Sequence, residues 1–151
     1  MKILFLLLAL ISNFIFACPD LSGTYSRCTS KSGDNSDTVD VVISQKKENG
    51  MMIYTVKAKD SQSGEEETTV MIADGKTRIM EDKDPETGIV FIQNETYFCK
   101  ENMLLGSMSL NIDGQLMLNI KMNSKKSGTV MTSEISGSSM GAPINDLVTC
   151  K

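Results

Sequence analysis

Four cysteines, Cys18, Cys28, Cys99 and Cys150, carry the most definite chemistry in this 151-residue chain, which contains no histidine. No Cys-x-x-Cys occurs, so the spacing is not that of a zinc or dithiol site. The absence of histidine rules out Ser-His and Cys-His nucleophile pairs. An even number of cysteines predicts two disulfides, with three connectivities open. Carboxylate pairs are the remaining route to acid–base catalysis, but the acids fall in segments that read as loops. Glu65-Glu66-Glu67 reads as a solvated loop entering a strand. The expectation is a protein that is not an enzyme.

Two further groups of residues could bind metal. In Asp82-Lys83-Asp84-Pro85-Glu86-Thr87-Gly88 the acids alternate as oxygen ligands do in a calcium loop. Gly88 comes one position late for the sharp turn, Pro85 restricts the backbone, and Gln93 stands where a bidentate Glu belongs. An acidic surface turn is the simpler reading. Eleven methionines suggest thioether binding of Cu(I). Met52, Met108 and Met122 instead fall on apolar alternating faces, where methionine fills core. No metal and no cofactor are expected.

The N-terminus sets the compartment. Lys2 precedes an apolar run from Ile3 to Phe16 broken only by Ser12 and Asn13, and Ala17 stands before Cys18. This is the layout of a secretory signal peptide covering 1–17, which leaves 18–151 as a single domain, exported to the periplasm or secreted. An oxidising compartment agrees with the disulfides. Ile15-Phe16-Ala17-Cys18 also partly matches a lipobox, in which Cys18 would be acylated and hold the protein at a membrane. Phe16 is bulky for that motif, and acylation would leave three cysteines, so ordinary cleavage is favoured. No transmembrane helix is expected in 18–151.

Strand periodicity positions these residues. Val39, Val41 and Ile43 alternate, as do Met52, Tyr54, Val56 and Ala58, then Leu104, Gly106, Met108, Leu110 and Ile112, then Leu116, Leu118, Ile120 and Met122. A period of two means strands with one buried and one wet face. Asn49-Gly50, Asp74-Gly75 and Asp113-Gly114 are hairpin turn pairs. The expected strands are 22–30, 37–46, 51–59, 67–73, 76–81, 89–93, 96–101, 103–112, 115–123, 128–136 and 146–150. Sequential hairpins without helical crossovers predict an all-β fold, an antiparallel up-and-down meander closed into a barrel of about 8–10 strands. A β-sandwich is the alternative.

The barrel constrains the cysteines. A continuous strand from Cys18 to Cys28 spans roughly 33 Å, whereas bonded cysteines hold their Cα atoms within about 7 Å. Pairing of the last strand with the first brings Cys150 toward Cys18 and leaves Cys28 for Cys99. The expected bridges are Cys18–Cys150 and Cys28–Cys99.

Leu21-Ser22-Gly23-Thr24-Tyr25 resembles the first strand of calycins, the lipocalin and avidin-like superfamily, in which Gly-x-Trp opens an up-and-down barrel. The whole opening, Cys18 to Tyr25, is similar to a group of small exported proteins from predatory Gram-negative bacteria. Tyr25 replaces the tryptophan and the chain has no Trp, so biotin binding is not implied. The resemblance implies a barrel that binds a small apolar ligand or serves as an interaction scaffold.

Charge narrows the partners. Fifteen Lys and Arg against 19 Asp and Glu give a net charge of −4, which lacks the basic footprint of a nucleic-acid binder. The inner face holds the small residues Gly23, Ala58 and Gly106 beside Tyr25, Tyr54 and Met108, a combination that leaves room inside a barrel. Tyr25, Tyr54, Val56, Phe91, Met108 and Leu118 are the expected ligand-lining residues. The expected partner is a small apolar ligand or lipid. A solid barrel acting on an envelope protein is the alternative.

Overall fold

The computed structural model describes residues 17–32 and 39–151; the predicted signal segment up to residue 16 lies outside them. Ten strands follow one another: β1 (Gly23–Ser30), β2 (Val39–Glu48), β3 (Met51–Asp60), β4 (Glu66–Ala73), β5 (Arg78–Lys83), β6 (Val90–Lys100), β7 (Met103–Ile112), β8 (Gln115–Ser127), β9 (Val130–Ser139) and β10 (Ala142–Cys150). The sheet order is β4-β3-β2-β1-β10-β9-β8-β7-β6-β5, with an additional β4–β6 pairing. That pairing closes a nine-stranded barrel and leaves β5 outside it. The all-β barrel expected from the alternation is therefore what the chain forms.

Tight turns make the meander. Asn49-Gly50 and Asp113-Gly114 have both residues at positive φ (50° and 80°; 50° and 79°), the backbone a two-residue hairpin needs. Glu101-Asn102 and Met140-Gly141 form the same kind of turn without an Asn-Gly or Asp-Gly pair. The latter carries β9 directly into β10, so the last strand is longer than the expected 146–150.

Asp74-Gly75 departs from the expected hairpin. β4 and β5 do not pair; β5 pairs β6 alone. The Gly75 amide donates to the Tyr97 carbonyl at 2.9 Å, and Ala73 lies in parallel register with Tyr97. The Asp74 carboxylate takes both Arg78 guanidinium nitrogens, at 3.1 and 2.9 Å. These contacts fasten the end of β4 to β6 and turn the chain outward, so one seam is parallel and the meander is not wholly antiparallel. The expected break between 89–93 and 96–101 is also absent, because β6 runs unbroken.

Both disulfide pairings differ from expectation. The bridges are Cys18–Cys99 and Cys28–Cys150, with Cα atoms 5.0 and 4.0 Å apart. The last strand does pair the first, but in the register Thr29↔Thr149. β10 therefore ends beside the C-terminal half of β1 rather than its start. A register shift between Tyr25 and Cys28, with Arg27 at φ 75°, inserts a bulge that turns Cys28 inward. Residues 18–22 continue past the end of β10 and cross to β6. Bonded to Cys99, the Cys18 sulfur has no free thiol for a lipid anchor.

Candidate ligand cavity

One end of the barrel is sealed by the segment before β1. Cys18 is tied to β6, Pro19 and Leu21 are buried, and three hydrogen bonds hold their backbone. The Tyr54 hydroxyl donates to the Pro19 carbonyl (2.8 Å), the Tyr25 hydroxyl to the Leu21 carbonyl (2.8 Å), and the Leu21 amide to Gln45 Oε1 (2.9 Å). Lys126 Nζ donates to the Ser22 carbonyl and sits 5.8 Å from the Tyr25 ring centre. Two aromatic residues with polar tips can thus be fully buried, because each tip has a partner.

Above this plug the interior is open. A cavity of about 400 Å³ extends from Leu21 and Leu104 past Met131, Met122 and Tyr97 to Met108, Glu95 and Glu67. Its volume falls within the usual range of roughly 300–1,000 Å³ for small-molecule sites. Half of the wall residues are Ile, Val, Leu or Met, with Met71, Met108, Met122 and Met131 all contributing. Two buried serines on the wall, Ser124 and Ser133, satisfy each other at 2.7 Å.

Glycine makes part of the space. A Cβ at Gly106 would stand 2.8 Å from the Tyr97 ring, so the ring lies flat over β7 only because that position lacks a side chain. Gly137 serves a neighbouring purpose, since a Cβ there would meet the Asn119 carbonyl oxygen at 1.9 Å.

The direction of the mouth follows from β6. Cys99 marks the plugged end, and Tyr97, Glu95 and Gln93 step away from it on the same face, roughly 6–7 Å per pair of residues. β4 runs parallel to β6, so Glu67 and Thr69 lie on that same far side. Glu95 accepts a hydrogen bond from Gln93 Nε2, which also approaches Met108 Sδ at 3.5 Å. Burial, followed by the charge of Glu95 and a hydrogen bond with it, pushes the Tyr97 hydroxyl up to about 12. Burial, followed by the charge of Asp20, does the same to Tyr54 at the plug.

The residues expected to line a ligand site separate into three places. Val56 and Met108 are on the cavity wall. Tyr25 and Tyr54 are buried beneath it, holding the plug. Phe91 and Leu118 are half-buried and outside the wall, Phe91 between Asp82 of β5 and Ile112 of β7, and Leu118 between Leu110 and Ser139. Glu67, Gln93, Glu95 and Tyr97 were missed. Alternation along Glu67, Thr69, Met71 and Ala73 was the available signal for the first. An unbroken strand through Gln93, Glu95 and Tyr97 was the signal for the others.

The acidic 82–88 segment is a turn held by its own carboxylate. Asp84 Oδ1 accepts the amides of Glu86 (2.9 Å) and Thr87 (2.7 Å), which lowers its pKa. Among the described residues, no three or more His, Cys, Asp or Glu side chains gather to hold a metal. No described helix is long and apolar enough to cross a membrane. Set against protein-family models, curated proteins and solved structures, the chain matches none. A closed nine-stranded barrel is compatible with a calycin-like fold, and the likeness rests on that architecture together with the short Leu21–Tyr25 opening.

Proposed function

We propose that this protein is a non-enzymatic, exported barrel that binds a small apolar ligand or lipid in its interior. The cavity carries the reading: about 400 Å³, apolar over most of its wall, sealed at one end and reachable at the other. Methionine side chains suit that use, since they repack around differently shaped guests. Two disulfides joining residues 81 and 122 positions apart fit an oxidising compartment. The apolar run from Ile3 to Phe16, followed by Ala17 at the cleavage site, supplies the export signal, and N-terminal sequencing of the mature protein should begin at Cys18.

Native mass spectrometry tests the binding. The protein, exposed to a non-polar extract of the cells that make it, should carry a non-covalent adduct that leaves on unfolding. Peroxide should then oxidise Met140, which is 75 % exposed, in both states, while the half-buried cavity methionines Met108 and Met122 are protected only in the loaded protein. A barrel that stays bare, with cavity methionines oxidised equally before and after exposure, ends the reading.

A second reading, an interaction protein acting through its surface, is favoured by β5. This strand pairs on one side only and exposes Ile79 and Met80. An open strand edge with apolar side chains is a template for pairing with another chain. Pull-down of a partner that is lost on Met80→Pro, with no adduct in the cavity, would favour it.

A further inference from the structure

Resting on the cavity reading above, we infer that the preferred guest is a cationic amphiphile: an apolar body carrying a protonated amine. The cavity wall contains two charged residues, Glu67 and Glu95, and no Lys or Arg. They come from strands on either side of the parallel seam, β4 and β6, and both stand on the side of the cavity away from the plug. Neither takes part in an ion pair among the described residues. The nearby lysine pairing on this hairpin, Lys59 with Glu66, involves the neighbouring carboxylate. Glu95 is half-buried, with its hydrogen bonds coming from the neutral donors Gln93 and Tyr97.

The consequence is a directional site. A tail placed among Leu104, Met122 and Met131 leaves its head beside Glu95, with Glu67 about four residues further out along the parallel seam. An ammonium head gains the opposite charge of the half-buried Glu95, where Coulomb interactions exceed their value in water, and at longer range that of the exposed Glu67. A carboxylate head meets Glu95 and then Glu67 on a wall without Lys or Arg; Arg78, the cross-strand neighbour of Glu95, is held by the Asp74 carboxylate. A fatty acid is therefore disfavoured, although the wall would accept its tail. Net charge acts in the same direction, since an acidic protein attracts cations at long range.

Three probes of equal tail length, octylamine, octanol and octanoate, separate the terms when titrated by calorimetry into the intact protein. Octylamine should bind about tenfold or more tighter than octanol, the equivalent of roughly 1.4 kcal/mol, and octanoate more weakly than either. In Glu67→Gln/Glu95→Gln, octylamine should fall to the affinity of octanol while octanol itself is unchanged, which also shows that the variant is folded. Equal binding of octylamine and octanol by the unsubstituted protein overturns the charge preference and leaves the apolar cavity standing. Tightest binding of octanoate overturns it as well. Binding of none of the three removes the cavity reading, and this inference with it.

Discussion

The two ends of this barrel are built on opposite principles. At the plugged end, Leu21, Tyr25, Tyr54, Leu104 and Cys150 are each no more than 2 % exposed, and both disulfides attach there. Every buried polar tip has a partner. At the mouth, Glu67 is exposed, Gln93, Glu95 and Met108 are half-buried, and no covalent link crosses the opening. The same strands serve both ends, so the difference lies in what fills them. Aromatic side chains and a folded-back N-terminal segment occupy one end. Methionine, glycine and short polar residues leave space in the other. A rigid base supporting a softer opening is the arrangement a binding barrel needs, because site geometry depends on the elements beneath it.

That contrast places the largest losses of stability at the base. Replacing Cys28 and Cys150 by alanine frees a 122-residue separation, and replacing Cys18 and Cys99 frees one of 81. In the chain-entropy picture each costs about 4–5 kcal/mol, read as a lower urea midpoint. Losses under about 1 kcal/mol would mean that the plug holds without its bridges. Tyr54→Ala comes next at about 3–5 kcal/mol, because it empties the volume of a fully buried aromatic. Tyr54→Phe keeps the volume and strands the Pro19 carbonyl, for about 1–3 kcal/mol. Equal effects of the two Tyr54 variants would show that the hydroxyl, not the ring, secures the plug.

The strands and the barrel could be read from the sequence, and the division into base and mouth could not. Tyr25 and Tyr54 read as ligand-lining residues yet hold the plug, and both bridges pair differently from expectation. Alternation at Val41, Ile43, Tyr54, Val56, Ala58, Leu104 and Met108 gives strands, faces and barrel without further help. The cysteine pairing could not follow from alternation, because the bulge at Arg27 breaks the period where Cys28 must turn inward. Closure by β4–β6 was hidden for a related reason. Asp74-Gly75 reads locally as a hairpin, and its exit from the barrel depends on contacts with Arg78 and Tyr97 that become visible only in three dimensions. Glu67 and Glu95 were passed over because charged residues mark strand ends and loops in most sheets. Here they point inward, on the strands that form the weakest seam.

A titration compares the ends directly. Tyr54 at the plug and Tyr97 toward the mouth are both pushed from 10 to about 12, mainly by burial. Below pH 10 the phenols are protonated in both folded and unfolded chains, so their contribution is complete. Between pH 10 and 12 the unfolded chain loses these protons first, and stability falls as the pH rises through that window. Tyrosinate absorbance should show two late-titrating groups. Asp20→Asn should move the plug tyrosine back toward 10, and Glu95→Gln the mouth tyrosine, each leaving the other in place. A variant that shifts both would mean that the two ends share one electrostatic environment.

The smallest effect on stability should come from Glu67→Gln, and it bears on the comparison because it is small. Glu67 is exposed, belongs to no ion pair among the described residues, and faces space rather than packed side chains. Its loss should change the urea midpoint by an amount within about 0.5 kcal/mol, as for surface positions away from caps and cores. Its effect on octylamine affinity should be larger than that. A residue whose replacement is silent for folding but not for a cationic guest is held at the mouth by binding. Had Glu67 been one more solvated strand residue, both measurements would be silent. If it instead supported the β4–β6 seam, the midpoint would fall and octanol binding with it. The two readouts together decide whether the carboxylates at the open end belong to the barrel or to its ligand.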